Sequence, residues 1–376
     1  MKKILIVNNN LDMGGIQKSL VNLLKEVYED YDITLMLFSK SGALFNNIPN
    51  NVRVITPNKC YQMLGLTRSE LKHYPFLFCL KYFFIRYTSI FSRRSAMKIL
   101  GLFQKKIKGY DVAISYSHLP HHKYFGNGCG DFVLDKVVCQ NKICLIHCDY
   151  LHSGYMTEMN NREYLEFDKI ACCSDSVRER FIYGAKIPKN KVYTLRNFYD
   201  FDIFKLANDN PYVYGDNCIN LLSVARLSSE KGIDKAIDAL YATGRSDINY
   251  YIVGDGPQKD ILQEKIKRYH MEKHVFLLGG QQNPYRYMIN ADYLLVLSLH
   301  EASPMVFDEA NVLGLKVIST NTTSAAEMIG DNGIICNCSM DSIETALSAI
   351  TKSVREISFL RTNQLQKKQF SVITGV

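Results

Sequence analysis

Acidic residues are missing from one long interval of this chain. None lies between Glu70 and Asp111, although the whole sequence carries 37 of them against 45 lysines and arginines. Other absences exclude whole classes of protein. No apolar run approaches the roughly 20 residues that span a bilayer, so no integral membrane segment is expected. The 11 cysteines form no CxxC pair, and an odd number in no framework spacing argues against a disulfide scaffold or a zinc site. Met1-Lys2-Lys3-Ile4 runs straight into a strand-like segment rather than a secretory signal, so a reducing cytoplasm is the expected compartment. Low-complexity tracts and short-period repeats are also absent.

What is present is a globular composition, 47% hydrophobic and 22% charged, over 376 residues, a length that predicts two domains. The acid-free interval is dense in Lys72, Lys81, Arg86, Arg93, Arg94, Lys98, Lys105, Lys106 and Lys108. Phe76, Phe78, Tyr82, Phe83, Phe84, Tyr87 and Phe91 are interleaved with them. A basic, aromatic, helical segment of this kind, about residues 72–108, suits an anionic membrane surface, with each cation contributing about 1 kcal/mol. Phe83 and Phe84 are the expected apolar anchor. The plainer reading is ordinary helices with aromatic core faces and solvated basic faces. No nucleic-acid-binding motif accompanies the patch, so no nucleic acid is expected as a partner.

Short β-branched runs alternate with helical periodicity along the chain. "KILIVN", "DITLMLF", "VRVIT", "DVAISY", "ICLIH", "KIACCS" and "KVYTL" read as strands in the first half. "INLLSVA", "NYYIVG", "VFLLG", "DYLLVLS" and "KVIST" do so in the second. Unbroken apolar strands separated by helices mean parallel sheets covered on both faces. The alternation lapses once, in "RNFYDFDIFKLANDNPYVYGDN" (Arg196–Asn217). The expected fold is therefore α/β, with two Rossmann-like domains over 1–197 and 218–376 joined by a linker over 198–217. Facing each other, two such domains would present their sheets' carboxyl ends to one cleft, where ligands bind at switch points of strand order.

Candidate chemistry gathers at those strand ends. In "HEASPMVFDEA", Ser303 reads as an N-cap and Pro304 as the first residue of a helix that Gly314 ends. The backbone N–H groups of Met305 and Val306 are then free to meet an anion. Glu309 shares a helical face with Met305, Val306, Val312 and Leu313, where a carboxylate is costly unless hydrogen-bonded. Glu301 alone is an ordinary loop residue. "SVARLSSEKGID" places Arg226 and Lys231 between a strand and a helix, two cations suited to clamping a diphosphate, although singly each is a plain surface charge. "YIVGDGP" adds a glycine turn after the next strand. Gly14 and Gly15 open the first helix and allow close backbone approach to a phosphate or sugar, but match neither a GxGxxG nor a GxxxxGK[ST] loop. The cluster His118, His121, His122, Cys144, Cys148 and His152 fits no zinc spacing, so no metal is expected.

Taken in order, these signals resemble the retaining glycosyltransferases of family 4, the glycosyl transferases group 1 of GT-B fold. The resemblance covers nearly the whole chain and is strongest from Asn220 to Ile335. It rests on Arg226…Lys231-Gly232, the turn Gly254-Asp255-Gly256-Pro257, and the pair Glu301 and Glu309. The family implies that Arg226 and Lys231 hold the donor diphosphate, and that Glu301 binds the donor sugar. Glu309 would bind the ribose, with Met305 and Val306 completing the sugar-phosphate contact and Gly14 and Gly15 near the phosphates. His147, in "LIHCDY", matches the family histidine near the reacting sugar. The implied donor is a nucleotide sugar, a UDP-sugar by preference, with no cofactor or metal. A glycan or polyprenyl-linked acceptor in surface polysaccharide, capsule or lipopolysaccharide synthesis, met on the inner face of the membrane, completes the expectation. Ala302, Ser303 and Lys316 depart from the commoner family residues, which leaves the sugar unidentified. The short segment after Asp341 points to an abbreviated C-terminal crossover. The alternatives are a non-catalytic partner subunit of the same fold and a nucleotide-sugar epimerase.

Overall fold

The computed structural model describes residues 1–215, 217–353 and 362–375. The chain forms two compact units, Met1–Phe198 with Asn363–Val376, and Tyr199–Thr362. In the first, seven parallel strands are β1 (Lys3–Asn8), β2 (Asp32–Leu37), β3 (Arg53–Ile55), β4 (Val112–Ser115), β5 (Asn141–Ile146), β6 (Lys169–Cys172) and β7 (Val192–Thr194). They lie in the order β3-β2-β1-β4-β5-β6-β7, which reverses between β1 and β4. Ile4, Leu5, Ile6 and Val7 are fully buried because helices cover both faces of β1. The helix Gly15–Val27 lays Leu20, Leu23, Leu24 and Val27 into that core. Each such side chain contributes about 1.5–3 kcal/mol on burial.

The second unit is wound the same way. Its strands are β8 (Ile219–Val224), β9 (Ile248–Val253), β10 (Val275–Gly279), β11 (Tyr293–Val296), β12 (Lys316–Thr320) and β13 (Gly333–Cys336). All are parallel, in the order β10-β9-β8-β11-β12-β13, reversing between β8 and β11. β13, which is short and only half-buried, was not anticipated from the sequence.

Two boundaries differ from the sequence reading. The segment 198–217, expected as a linker, contains the helix Asp202–Asn208, whose Ile203 and Ala207 join Tyr214 in the core of the second unit. The end of the chain, expected in the second domain with an abbreviated crossover, folds onto the first. Phe370 and Ile373 of the helix Gln364–Thr374 enter the first unit's core, and Phe370 meets Tyr31 edge-on at 5.2 Å. Lys169 Nζ donates to the Val372 and Ile373 carbonyls, both at 2.9 Å, and Lys2 Nζ donates to that of Thr374 at 3.0 Å. Cations thus satisfy the helix's last carbonyls, where the macrodipole favours them.

The acid-free interval folds as the helices Pro75–Ile90 and Arg93–Gly101. Phe76, Phe83 and Ile90, seven residues apart and hence on one face, are 74%, 58% and 67% exposed. Phe84, whose ring meets that of Phe83 edge-on at 5.4 Å, turns inward. It is 3% exposed and stacks on Phe125 at 5.1 Å, so only Phe83 of the expected anchor pair reaches the surface. Arg93 and Arg94 also leave the basic face. Arg93 is fully buried against Asp131 and Glu163, and Arg94 pairs with Asp135 at 3.0 Å and Glu166 at 2.8 Å. A buried guanidinium needs such partners, and here they come from helices outside the interval. No helix among the described residues is long and apolar enough to cross a membrane.

Candidate active site

In the second unit the strand order reverses between β8 and β11, and the expected residues follow the carboxyl ends of these two neighbours. Glycine geometry sets the loops. Gly254, at φ 154, lies so close to the next loop that a Cβ there would sit 1.8 Å from the Ala225 carbonyl oxygen. The Asp255 carbonyl accepts from Leu227 N at 3.0 Å, and the Leu227 carbonyl accepts from Gln258 N at 3.0 Å. The glycine turn after β9 is therefore a cradle for the loop that carries Arg226. Gly232, at φ 65, does the same against the loop after β11, since a Cβ there would lie 2.1 Å from the Leu297 oxygen. Only glycine allows both the backbone conformation and the approach.

That approach brings Lys231 to Glu301. Lys231 Nζ donates to Glu301 Oε1 at 2.5 Å, and Ser298 Oγ donates to the same oxygen at 3.0 Å. Leu299 N donates to the Glu230 carbonyl at 2.8 Å, a second tie between the two loops. From below, Thr320 Oγ1 holds the Ser298 carbonyl at 2.5 Å and Ser324 Oγ holds that of Ala302. Ser298, Thr320 and Ser324 were missed from the sequence, because isolated hydroxyls at strand ends carry no signal. Arg226 stands exposed in the adjoining loop, and its side chain makes no hydrogen bond or ion pair among the described residues. The arrangement offers one bonded cation, one exposed cation that feels Glu230, and a carboxylate within two touching loops.

The helix Met305–Leu313 starts one residue later than expected. Pro304, with extended backbone at ψ 124, occupies the N-cap, and no side chain caps the helix. Ser303 turns its hydroxyl to Met328 Sδ at 3.4 Å instead. The Met305 and Val306 N–H groups remain without a hydrogen bond among the described residues, as four such groups do at any helix start. Glu309 is 7% exposed, one turn further along, and Gly314 ends the helix at φ 63.

Gly14, Gly15 and His147 belong to the first unit. Gly14 is extended (φ −172) before the helix that begins at Gly15, beside the β1–β4 reversal. A Cβ on Gly14 would meet Gln17 Oε1 at 2.6 Å, a contact the flexible glutamine can yield. His147 follows β5. Its ring lies 5.1 Å from that of Tyr116, and its buried Nε2 has no partner. Burial pushes its pKa down to about 3, with His118 adding to the shift and the Tyr116 carbonyl opposing it. Burial likewise holds His118 down to about 4. Both rings are neutral at neutral pH. No group of three or more His, Cys, Asp or Glu side chains among the described residues is placed to hold a metal ion.

Two doubly wound parallel sheets, with charged loops at a switch point, define a protein of GT-B architecture. Residues 213–356 match the family model of the glycosyl transferases group 1, a span containing Arg226, Lys231, Glu301, Met305, Val306 and Glu309. The second unit is similar to that family over these residues. The chain is 28% identical over 156 residues to the amylovoran biosynthesis glycosyltransferase AmsD of Erwinia amylovora, covering 41% of this chain and 44% of that protein. A 113-residue stretch is 35% identical to the N-acetylgalactosamine-N,N'-diacetylbacillosaminyl-diphospho-undecaprenol 4-alpha-N-acetylgalactosaminyltransferase of Campylobacter jejuni, covering 30% and 31% of the two chains. The chain thus spans less than half the length of these relatives. The crystal structure of Anabaena HepE in complex with UDP superposes with a TM-score of 0.64 at 17% identity, over 100% of this chain and 98% of that one. That likeness is one of fold.

Proposed function

We propose that the chain is a retaining glycosyltransferase that moves a hexosyl group from a nucleoside diphosphate sugar, UDP-linked by preference, to a glycan or lipid-linked acceptor. The observation that carries this reading is the Lys231–Glu301 pair beside exposed Arg226, at the switch point of the unit that matches the group 1 family model. Two cations there offset the negative charge that develops on the departing diphosphate. Glu301 accepts hydrogen bonds from donor-sugar hydroxyls and Glu309 from the ribose. The Met305 and Val306 N–H groups and the Gly14–Gly15 backbone meet the sugar-phosphate, and His147 lies near the reacting sugar. The anomeric carbon–phosphate oxygen bond breaks as the acceptor oxygen bonds to that carbon on the same face. The acceptor's proton passes to the departing phosphate oxygen, so no covalent nucleophile and no metal are required.

The preference for UDP follows HepE, whose structure holds it, and the lipid-linked acceptor follows the undecaprenol-linked substrate in the Campylobacter name. A place in surface polysaccharide synthesis is part of the same reading. The exposed face of Phe76, Phe83 and Ile90, with exposed Lys72, Arg86, Lys98, Lys105, Lys106 and Lys108 and no acidic residue between Glu70 and Asp111, docks the first unit on an anionic membrane surface, with the enzyme peripheral on the cytoplasmic leaflet.

The deciding experiment measures UDP release from a panel of UDP-sugars, with and without octyl glycosides or undecaprenyl-diphosphate-linked sugars. Release that rises with acceptor is the expected result. Binding without turnover would make the chain a non-catalytic partner subunit, and sugar interconversion without release would make it an epimerase.

A further inference from the structure

His147 carries a role in the proposed reaction, and the hydrogen bond that holds its ring goes to the Tyr116 carbonyl, while its Nε2 has no partner among the described residues. An imidazole at a reacting centre is ordinarily held by a bond to its second nitrogen. Here Tyr116 supplies both that bond, through its carbonyl, and the ring against which the imidazole packs, at 5.1 Å between centroids and tilted by 36°. Tyr116 itself is tightly held. It is 2% exposed at the end of β4, and its Oη lies 2.9 Å from Ser19 Oγ. Ser19 is 3% exposed and spends its single proton on Asn197 Oδ1 at 2.8 Å. The direction of the first bond follows: Tyr116 donates, Ser19 accepts and donates onward, and Asn197 accepts. Chained hydroxyls polarise one another, so this series is stiffer than its separate bonds.

The far end of the series sits where the chain leaves the first unit. Phe198 is the last residue before the crossing to Tyr199, and its carbonyl accepts from Asn22 Nδ2 at 3.1 Å. The Asn197 carbonyl accepts from Gln366 Nε2 at 3.3 Å, and Arg196 N donates to Gln369 Oε1 at 3.1 Å. Both glutamines belong to the helix Gln364–Thr374, which follows the returning crossing at Thr362–Asn363. One buried hydrogen-bonded path therefore runs from both chain crossings through Asn197 and Ser19 to the ring against which His147 lies. These residues are 97 and 178 positions apart in sequence along the two bonds at Ser19, so only the fold assembles them.

We propose that Tyr116 is the positioning residue of His147, and that Ser19 and Asn197 set its place from the segment where the chain crosses between units. This rests on the reading of His147 as a residue near the reacting sugar. Tyr116→Phe keeps the ring and removes only its hydroxyl, and Ser19→Ala breaks the same bond from the other side. The experiment follows the ¹⁵N resonances of the His147 imidazole in the full-length protein, together with kcat and KM for UDP-sugar turnover and the melting temperature. Both single variants are expected to shift the His147 resonances while leaving those of exposed His152 in place. Each should lower kcat about tenfold with KM little changed, because a misplaced group at the reacting centre costs rate rather than binding. The double variant should be no worse than the worse single, since the two residues act as one unit. Unmoved His147 resonances in a folded Ser19→Ala protein, or fully additive losses in the double variant, would overturn the proposal. His147→Ala separates the two readings. If it keeps normal turnover, the role of His147 is wrong, while the resonance shifts still decide whether Tyr116 positions it.

Discussion

Replacing Lys231 by alanine separates a catalytic cation from a structural one. In the resting protein Lys231 is bonded to Glu301 at 2.5 Å, with side chains 26% and 16% exposed. Ion pairs this accessible contribute about 0.2–1 kcal/mol to folding, because solvent screens them and ordering two long side chains opposes them. Ser298 Oγ still satisfies Glu301 after the change, and Gly232 still holds the loop against Leu297. A loss of that size lowers the melting temperature by at most about 2–4 °C in a unit of this size. The effect on turnover is larger. A preorganised charge contact at the developing oxyanion is worth about 2.7–4 kcal/mol, or a 10²–10³-fold fall in kcat. Steady-state release of UDP, paired with calorimetric melting of the same samples, reads both quantities. Turnover within about threefold of the parent would refute the diphosphate role, since threefold is only ~0.65 kcal/mol. A melting loss far beyond a few degrees would instead make the pair a structural element.

Four further outcomes follow. Phe83→Ser should weaken binding to anionic vesicles at unchanged melting temperature, whereas Phe84→Ser, stacked on Phe125, should cost about 3–5 kcal/mol of stability; parent binding should also fall as salt rises, and no vesicle binding at any salt would end the docking idea. Burial lowers the pKa of His147 to about 3 and of His118 to about 4, so the unfolded chain takes up protons first as pH falls below the ordinary 6.5. Stability should therefore decline from pH 6.5 towards pH 4, and His118→Asn should flatten the decline in melts recorded across that range; an unchanged slope would show that other groups govern it. Gly254→Ala should displace the Ala225 carbonyl and with it the Arg226 loop, raising KM for the UDP-sugar, and an unaltered KM would detach that loop from donor binding. Turnover should survive EDTA, and its loss there would require a metal in the reaction.

Much of the architecture is local information and was legible before any coordinates. The strands from Lys3–Asn8 to Lys316–Thr320 are unbroken apolar runs between helical periods, and a parallel sheet covered on both faces requires that pattern. The loop residues proposed to hold the donor stood out in the sequence for a related reason. Arg226, Lys231 and the Glu301–Glu309 segment each follow a strand directly, and strand ends at a switch point are where a doubly wound sheet binds ligands. Tertiary structure decided what depends on partners distant in sequence. Phe83 and Phe84 are chemically identical neighbours, and a helix step of about 100° sends one to solvent and the other onto Phe125. Arg93 and Arg94 read as surface cations until Asp131, Glu163, Asp135 and Glu166 arrive from helices the periodicity does not connect to them. The last helix joins the first unit because Phe370 and Ile373 find its core and Lys2 and Lys169 find its carbonyls. The sequence alone determined the kind of sheet and the strand ends that carry charge; which side chains those charges and rings meet is a matter of long-range packing, where burial and pairing are settled only by contact.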